Sequence, residues 1–242
     1  MKFNTVLLSS LALSSSILLT ACGGDDNDNN TPTETESPAP DINAVYEITV
    51  TNATNSQPLS PPAFIIHNDG YPAWEIGVAA SAGLEMLAES GSPEDFISEK
   101  QDYALTDAAG DNVVMPGANA SVSLETEWNE GLQVTVATML VNTNDAFTGT
   151  TGFTIGQLAV GESVSQLTRI YDSGTEENSE TSESIPGPAA NGEGYNSERG
   201  INDYVTMHSG VVTQDDGLST SILTEAHRFD NGAMVVRIER TQ

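Results

Sequence analysis

Apolar and polar residues alternate along much of the chain. Tyr46, Ile48 and Val50 interleave with Glu47, Thr49 and Thr51, the period of a strand with one buried face. Val122, Leu124, Thr126 and Trp128 interleave in the same way with Ser121, Ser123, Glu125 and Glu127. Residues 63–67 form a short apolar run after Pro61-Pro62 and predict another strand. Residues 132–141 are apolar on nearly both faces, which predicts a central strand covered on two sides. Residues 164–171 and 233–240 predict two more, and a short strand is expected near 151–155. Asn129-Glu130-Gly131 and Asp230-Asn231-Gly232 supply turn chemistry at strand entries.

One helical episode interrupts the strands. Ala80, Leu84 and Leu87 share a face of residues 79–89. Ser92-Pro93-Glu94-Asp95 has the form of an N-cap followed by proline at the first helical position, opening a second short helix to about Lys100. Two short helices cannot cover a large sheet. The expected fold is therefore all-β: an antiparallel β-sandwich with a short helical insertion, built from residues 44–242 as one domain. Residues 172–198 hold seven carboxylates, no Lys or Arg, and Pro186-Gly187-Pro188, and are expected to form a long surface loop.

The 242 residues carry 7 Lys and Arg against 35 Asp and Glu, a formal net charge of −28. Nucleic-acid binding needs clustered cations and is excluded on that ground. So much acid is either a self-repelling soluble surface or includes an oxygen-rich site for a hard cation. His67, His208 and His227 are scattered, which disfavours zinc.

The first residues have a separate logic. Lys2 precedes an apolar stretch, 6–19, too short and too broken by serine to be an ordinary membrane span. Leu19-Thr20-Ala21-Cys22 followed by Gly23-Gly24 resembles the bacterial lipoprotein signal. That resemblance implies removal of residues 1–21, lipidation of Cys22 and a membrane anchor through it. No acid follows Cys22 immediately, which favours the outer membrane or cell surface as the location within the cell envelope. Cys22 is the sole cysteine, so no intrachain disulfide can form. Residues 23–43 contain six carboxylates and almost nothing to bury, so 22–43 is expected to be a disordered acidic tether.

Two acidic segments follow strong strands: Asn142-Thr143-Asn144-Asp145-Ala146-Phe147-Thr148-Gly149 and Asp172-Ser173-Gly174-Thr175-Glu176-Glu177-Asn178. If the short strand near 151–155 runs back between them, both segments leave one edge of the sandwich, with Asp145 near Asp172. Crowded carboxylates repel unless a cation joins them, and calcium tolerates irregular shells of six to eight oxygens. Two solvated loops are the bland alternative. Glu177, Asn178 and Glu180 stay open as either ligands or solvated neighbours.

These same stretches, with Tyr46 to Thr51 and Ser60-Pro61-Pro62 near His67, resemble the spondin N-terminal domain family, whose bacterial members are commonly lipoproteins. The resemblance covers most of 44–242, and Tyr171-Asp172-Ser173-Gly174-Thr175-Glu176 is its most specific motif. It implies a β-sandwich with a calcium held by Asp145, Asp172 and Glu176. Ser173 and Glu176 stand where the family motif has Ala and Asp, so the shell around Glu176 must shift by one methylene. The cysteines and Trp-rich repeats that accompany the domain in animal matrix proteins are absent from this sequence.

The expectation is a non-enzymatic, calcium-binding, lipid-anchored module for adhesion or matrix/envelope interaction, contacting an extracellular or envelope protein or glycan. An envelope-polymer hydrolase is the alternative, though G-x-S-x-G, H-E-x-x-H, P-loop and G-x-G-x-x-G motifs are all missing. A purely structural lipoprotein, with metal only stabilising the fold, is the third.

Overall fold

The computed structural model describes residues 42–198, 202–230 and 232–242. The signal segment, Cys22 and the tether up to Asp41 lie outside the described residues. Among the described residues no helix is long and apolar enough to cross a membrane.

The elements run β1 (Asn43–Asn52), β2 (Ala63–His67), α1 (Ala82–Ser90), α2 (Pro93–Glu99), β3 (Ala104–Ala109), β4 (Asn119–Glu127), β5 (Gln133–Met139), β6 (Ala146–Thr154), β7 (Ser163–Leu167), β8 (Arg169–Asp172), β9 (Thr206–Met207) and β10 (Met234–Arg240). They form two antiparallel sheets, a four-stranded one ordered β4-β1-β10-β7 and a six-stranded one ordered β3-β2-β5-β6-β8-β9. The fold is thus the antiparallel β-sandwich with a helical insertion.

Burial follows the sequence periods. In β1, Tyr46, Ile48 and Val50 are fully buried, and face Phe64, Ile66, Val134 and Val136 of the other sheet in the main core. β2 and β5 are buried on both faces because the six-stranded sheet has a second cover. There Leu84, Leu87, Phe96 and Ile97 of the helices pack on Ile65, Ala137 and Phe147. Gly149 lets β6 lie close to β5: an added Cβ would run into the Val136 carbonyl oxygen and the Trp74 ring.

Helix termini match their signals in part. Ser81 caps α1 by accepting from Leu84 N–H at 3.4 Å, and Gly91 closes it in the left-handed region. Pro93 sits in the first turn of α2, but the Ser92 hydroxyl bonds the Glu94 and Asp95 carboxylates instead of a backbone N–H.

Two expectations need correction, and one strand had no sequence signal. The single strand at 164–171 is two strands in different sheets, joined at Thr168. That residue is fully buried, donates its N–H to Met234 O at 2.8 Å, and its hydroxyl meets Thr148 Oγ1 at 2.6 Å. Its backbone therefore bonds the four-stranded sheet, while its hydroxyl reaches both sheets, lying 3.0 Å from Met234 O as well. The expected loop 142–149 ends early, because β6 starts at Ala146 and runs unbroken to Thr154. β3 was not foreseen from its weak pattern, Ala-Leu-Thr-Asp-Ala-Ala.

A buried carboxylate cluster as candidate cation site

β5 and β6 are joined by a tight, buried connection. Leu140 N–H donates to Ala146 O at 2.8 Å, and the Thr143 hydroxyl donates to Leu140 O at 2.6 Å. Asn142 clamps it from outside. Its N–H donates to Gln57 Oε1, its amide donates to Ser56 O, and its Oδ1 accepts from Ala189 N–H. Asn142, Thr143, Asn144 and Asp145 are all nearly or fully buried, so the bland expectation of a solvated loop fails here.

The sheet register then brings the two acidic segments together. β6 pairs with β8 so that Ala146 faces Asp172, which puts Asp145 directly beside the 172–176 turn. Asp145 Oδ2 accepts from Ser173 Oγ at 2.8 Å, Thr175 N–H at 2.9 Å and Glu176 N–H at 3.1 Å. Its Oδ1 is buried and has no hydrogen-bond partner. Asp172 closes its own turn, accepting from Gly174 N–H at 2.8 Å, and its Oδ2 accepts from the Asn178 amide at 2.7 Å. Gly174 has φ +76°, and a Cβ there would strike the carbonyls of Asn202 and Tyr204, which lie across it. Glu176 Oε2 accepts from the Asn144 amide at 3.3 Å.

The three sequence-predicted residues thus occupy one corner of the sandwich. An open cleft of about 500 Å³ meets it, lined by Asp172, Glu176, Asn178, Asn202 and Tyr204 among others. The anchor of that corner is aromatic. Phe147 is fully buried, stacks on Tyr171 at 5.2 Å and meets Trp74 edge-on at 5.2 Å.

The electrostatics are one-sided. Burial, then the Asp172 charge, pushes Asp145 up to about 6, against the hydrogen bonds it accepts. Burial, with Glu89 next, pushes Glu176 up to about 8. Glu180 is also buried, and burial with the Asp145 charge raises it to about 7. No Lys or Arg among the described residues forms an ion pair with Asp145, Asp172, Glu176 or Glu180. Buried carboxylates of this kind hold protons, or need a cation to stay ionised.

The donor set fits a hard cation in kind. It offers carboxylate and amide oxygens and no thiol. His67 bonds Asn68 O at 2.7 Å and Thr135 Oγ1 at 2.9 Å. His208 Nδ1 accepts from Gly210 N–H at 3.0 Å, and its buried Nε2 has no hydrogen-bond partner. As the side chains stand, no three His, Cys, Asp or Glu among the described residues converge to a metal shell. The physical reason is that Asp145 is turned onto backbone N–H groups, Asp172 onto its own turn, and Glu176 onto Asn144. Closing a shell requires Glu176 to exchange the Asn144 amide for the ion.

Sequence reasoning left Glu177, Asn178 and Glu180 open, and the structure separates them. Glu177 is exposed, Asn178 holds Asp172, and Glu180 is 1% exposed. The recurrence of acids at 172, 176 and 180 was the available signal. It did not expose the roles of Asn144, Ser173 and Thr175, which are short polar residues ordinary in turns. Trp74 and Trp128 serve packing: Trp74 is buried against the helices, and Trp128 donates to Gly156 O at 3.0 Å beneath the Arg240 guanidinium. No family model matches the chain, and no curated protein matches it either.

Proposed function

We propose that this protein is a non-enzymatic, calcium-binding module of the spondin type, anchored in the cell envelope through a lipid on Cys22 and used for adhesion to an extracellular or envelope partner. The observation that carries the calcium reading is the Asp145 carboxylate. It is fully buried, one oxygen has no partner, its neighbours are Asp172 and Glu176, and no Lys or Arg among the described residues pairs with it. Bound calcium would supply that missing positive charge. Asp145 would present Oδ1 while Oδ2 keeps the 173–176 turn folded around it. Asp172 and Glu176 would bring charge from the cleft side, and Asn144 would release the Glu176 carboxylate. The cleft beside them leaves the loop edge open to a partner. The motif likeness at 143–149 and 171–176 supports the spondin assignment, and Leu19-Thr20-Ala21-Cys22 supports the anchor.

The test uses Asp145→Asn combined with Asp172→Asn. Binding of envelope and extracellular material is measured with calcium and with chelator, at a temperature where the variant is folded. The expected result is calcium-dependent binding by the parent protein and its loss in the variant. Binding that survives in a folded variant would mean that the cation only braces the fold.

A further inference from the structure

We propose that Glu180 is a further ligand of the same cation, reaching it from the buried side of the loops while Asp172 and Glu176 approach from the cleft. This rests on the calcium reading above.

Glu180 is held in place from three separate segments. Its N–H donates to Asn144 Oδ1 at 3.3 Å, its carbonyl accepts from Ile222 N–H at 2.9 Å, and its Oε1 accepts from Val212 N–H at 3.2 Å. Its backbone lies in the left-handed region at φ 53°, one of two non-glycine residues there among those described. A bulky residue in that region persists only where its surroundings over-determine it, and such residues gather at functional sites. The result is a carboxylate driven inward between two acids, Glu177 and Glu183, that face solvent.

Glu180 Oε2 is buried and without a partner, as is Asp145 Oδ1. The Asp145 carboxylate lies near enough for its charge to bear on Glu180. One divalent cation would satisfy both oxygens and cancel both charges, which no proton on either group does for the other. Asn144 ties the arrangement together. Its amide nitrogen holds Glu176, its amide oxygen holds the Glu180 backbone, and the next residue is Asp145. A cation that draws Glu176 off that amide would therefore still find Glu180 fixed.

The test compares the parent protein, Glu180→Gln and Glu183→Gln, the last removing an equal charge from the exposed part of the same loop. Calcium affinity is read by calorimetric titration, and bound water is read from europium luminescence lifetimes in light and heavy water. The expected result for Glu180→Gln is a calcium affinity lower by roughly ten-fold or more, with about one additional water on the europium ion, since ligand number and charge set affinity in such sites. Glu183→Gln should match the parent. Should Glu180→Gln not fold by near-ultraviolet circular dichroism, Glu180→Asp takes its place; it keeps the charge but withdraws the oxygens by one methylene, and the same loss is expected. Unchanged affinity and hydration in a folded Glu180 variant would overturn this inference while leaving the calcium reading intact. A parent protein that binds no calcium would overturn both.

Discussion

Truncation of Phe147 to Ala is expected to destabilise the domain by about 3–5 kcal/mol, the range for removing a buried aromatic side chain. For a domain of this size that lowers the melting temperature by roughly 6–20 °C. Phe147 is fully buried between Trp74 and Tyr171, and packs with the helices against the six-stranded sheet. Its neighbours cannot easily close over the gap, because the β6–β8 register holds Phe147 opposite Tyr171. Phe147 is also two residues from Asp145, and Tyr171 immediately precedes Asp172. The same substitution should therefore weaken calcium binding, through looser positioning of both segments. Equilibrium urea unfolding measures the first effect, and calcium titration of the folded variant measures the second. A loss of stability below about 1 kcal/mol would show that the aromatic trio does not hold this corner together.

In chelator, stability is expected to fall as pH rises from about 6.5 to 8. Glu180 and Glu176 are raised to about 7 and about 8 in the folded chain, whereas an unfolded glutamate titrates near ~4.3. In this window the folded state therefore binds more protons than the unfolded state, and stability decreases with pH. Below about 6.5 the trend is opposed. Burial lowers His67, His208 and His227, so those rings favour the unfolded state as acid protonates them. Glu176 is only half-buried, so solvent screening holds the total effect to about 1–2 kcal/mol. Saturating calcium should remove the decline, because the cation takes over from the protons. Melting curves at several pH values, with calcium and with chelator, give the answer. Stability that rises from pH 6.5 to 8 in chelator would contradict the one-sided charge of this cluster.

Much of this fold was legible because its burial is periodic. β1 could be read from Tyr46, Ile48 and Val50, since a sheet with one face in solvent writes itself as alternation. The central place of β5 could be read from its two-faced apolarity, and the helices that cover its outer face supply the reason. The break at Thr168 could not be read. Val164 and Ile170 both point into the space between the sheets, so the two-residue period continues across the switch from one sheet to the other. Only the hydrogen bonds of Thr168 distinguish the sheets, and those depend on partners far away in sequence.

The candidate site divides in the same way. That Asp145 and Asp172 lie together followed from two segments leaving one sandwich edge. The burial of Asp145 did not follow, because nothing local in Asn142-Thr143-Asn144-Asp145 marks it as interior. It arises from Gln57, Ser56 and Ala189 closing over Asn142 from other parts of the chain. Glu180 is the sharpest instance. It sits in a sequence of polar and acidic residues that reads as solvated, yet contacts from Asn144, Val212 and Ile222 fix it inside.

The most direct measurement is a calorimetric titration of calcium into chelator-stripped protein at pH 7, repeated in two buffers with different heats of ionisation. The expected result is saturable binding at one site, accompanied by proton release, since carboxyls raised to between about 6 and 8 must give up protons to hold the ion. Asp145→Asn should lose both. An absence of calcium heat in either buffer, with a melting temperature identical in calcium and in chelator, would contradict the cation site.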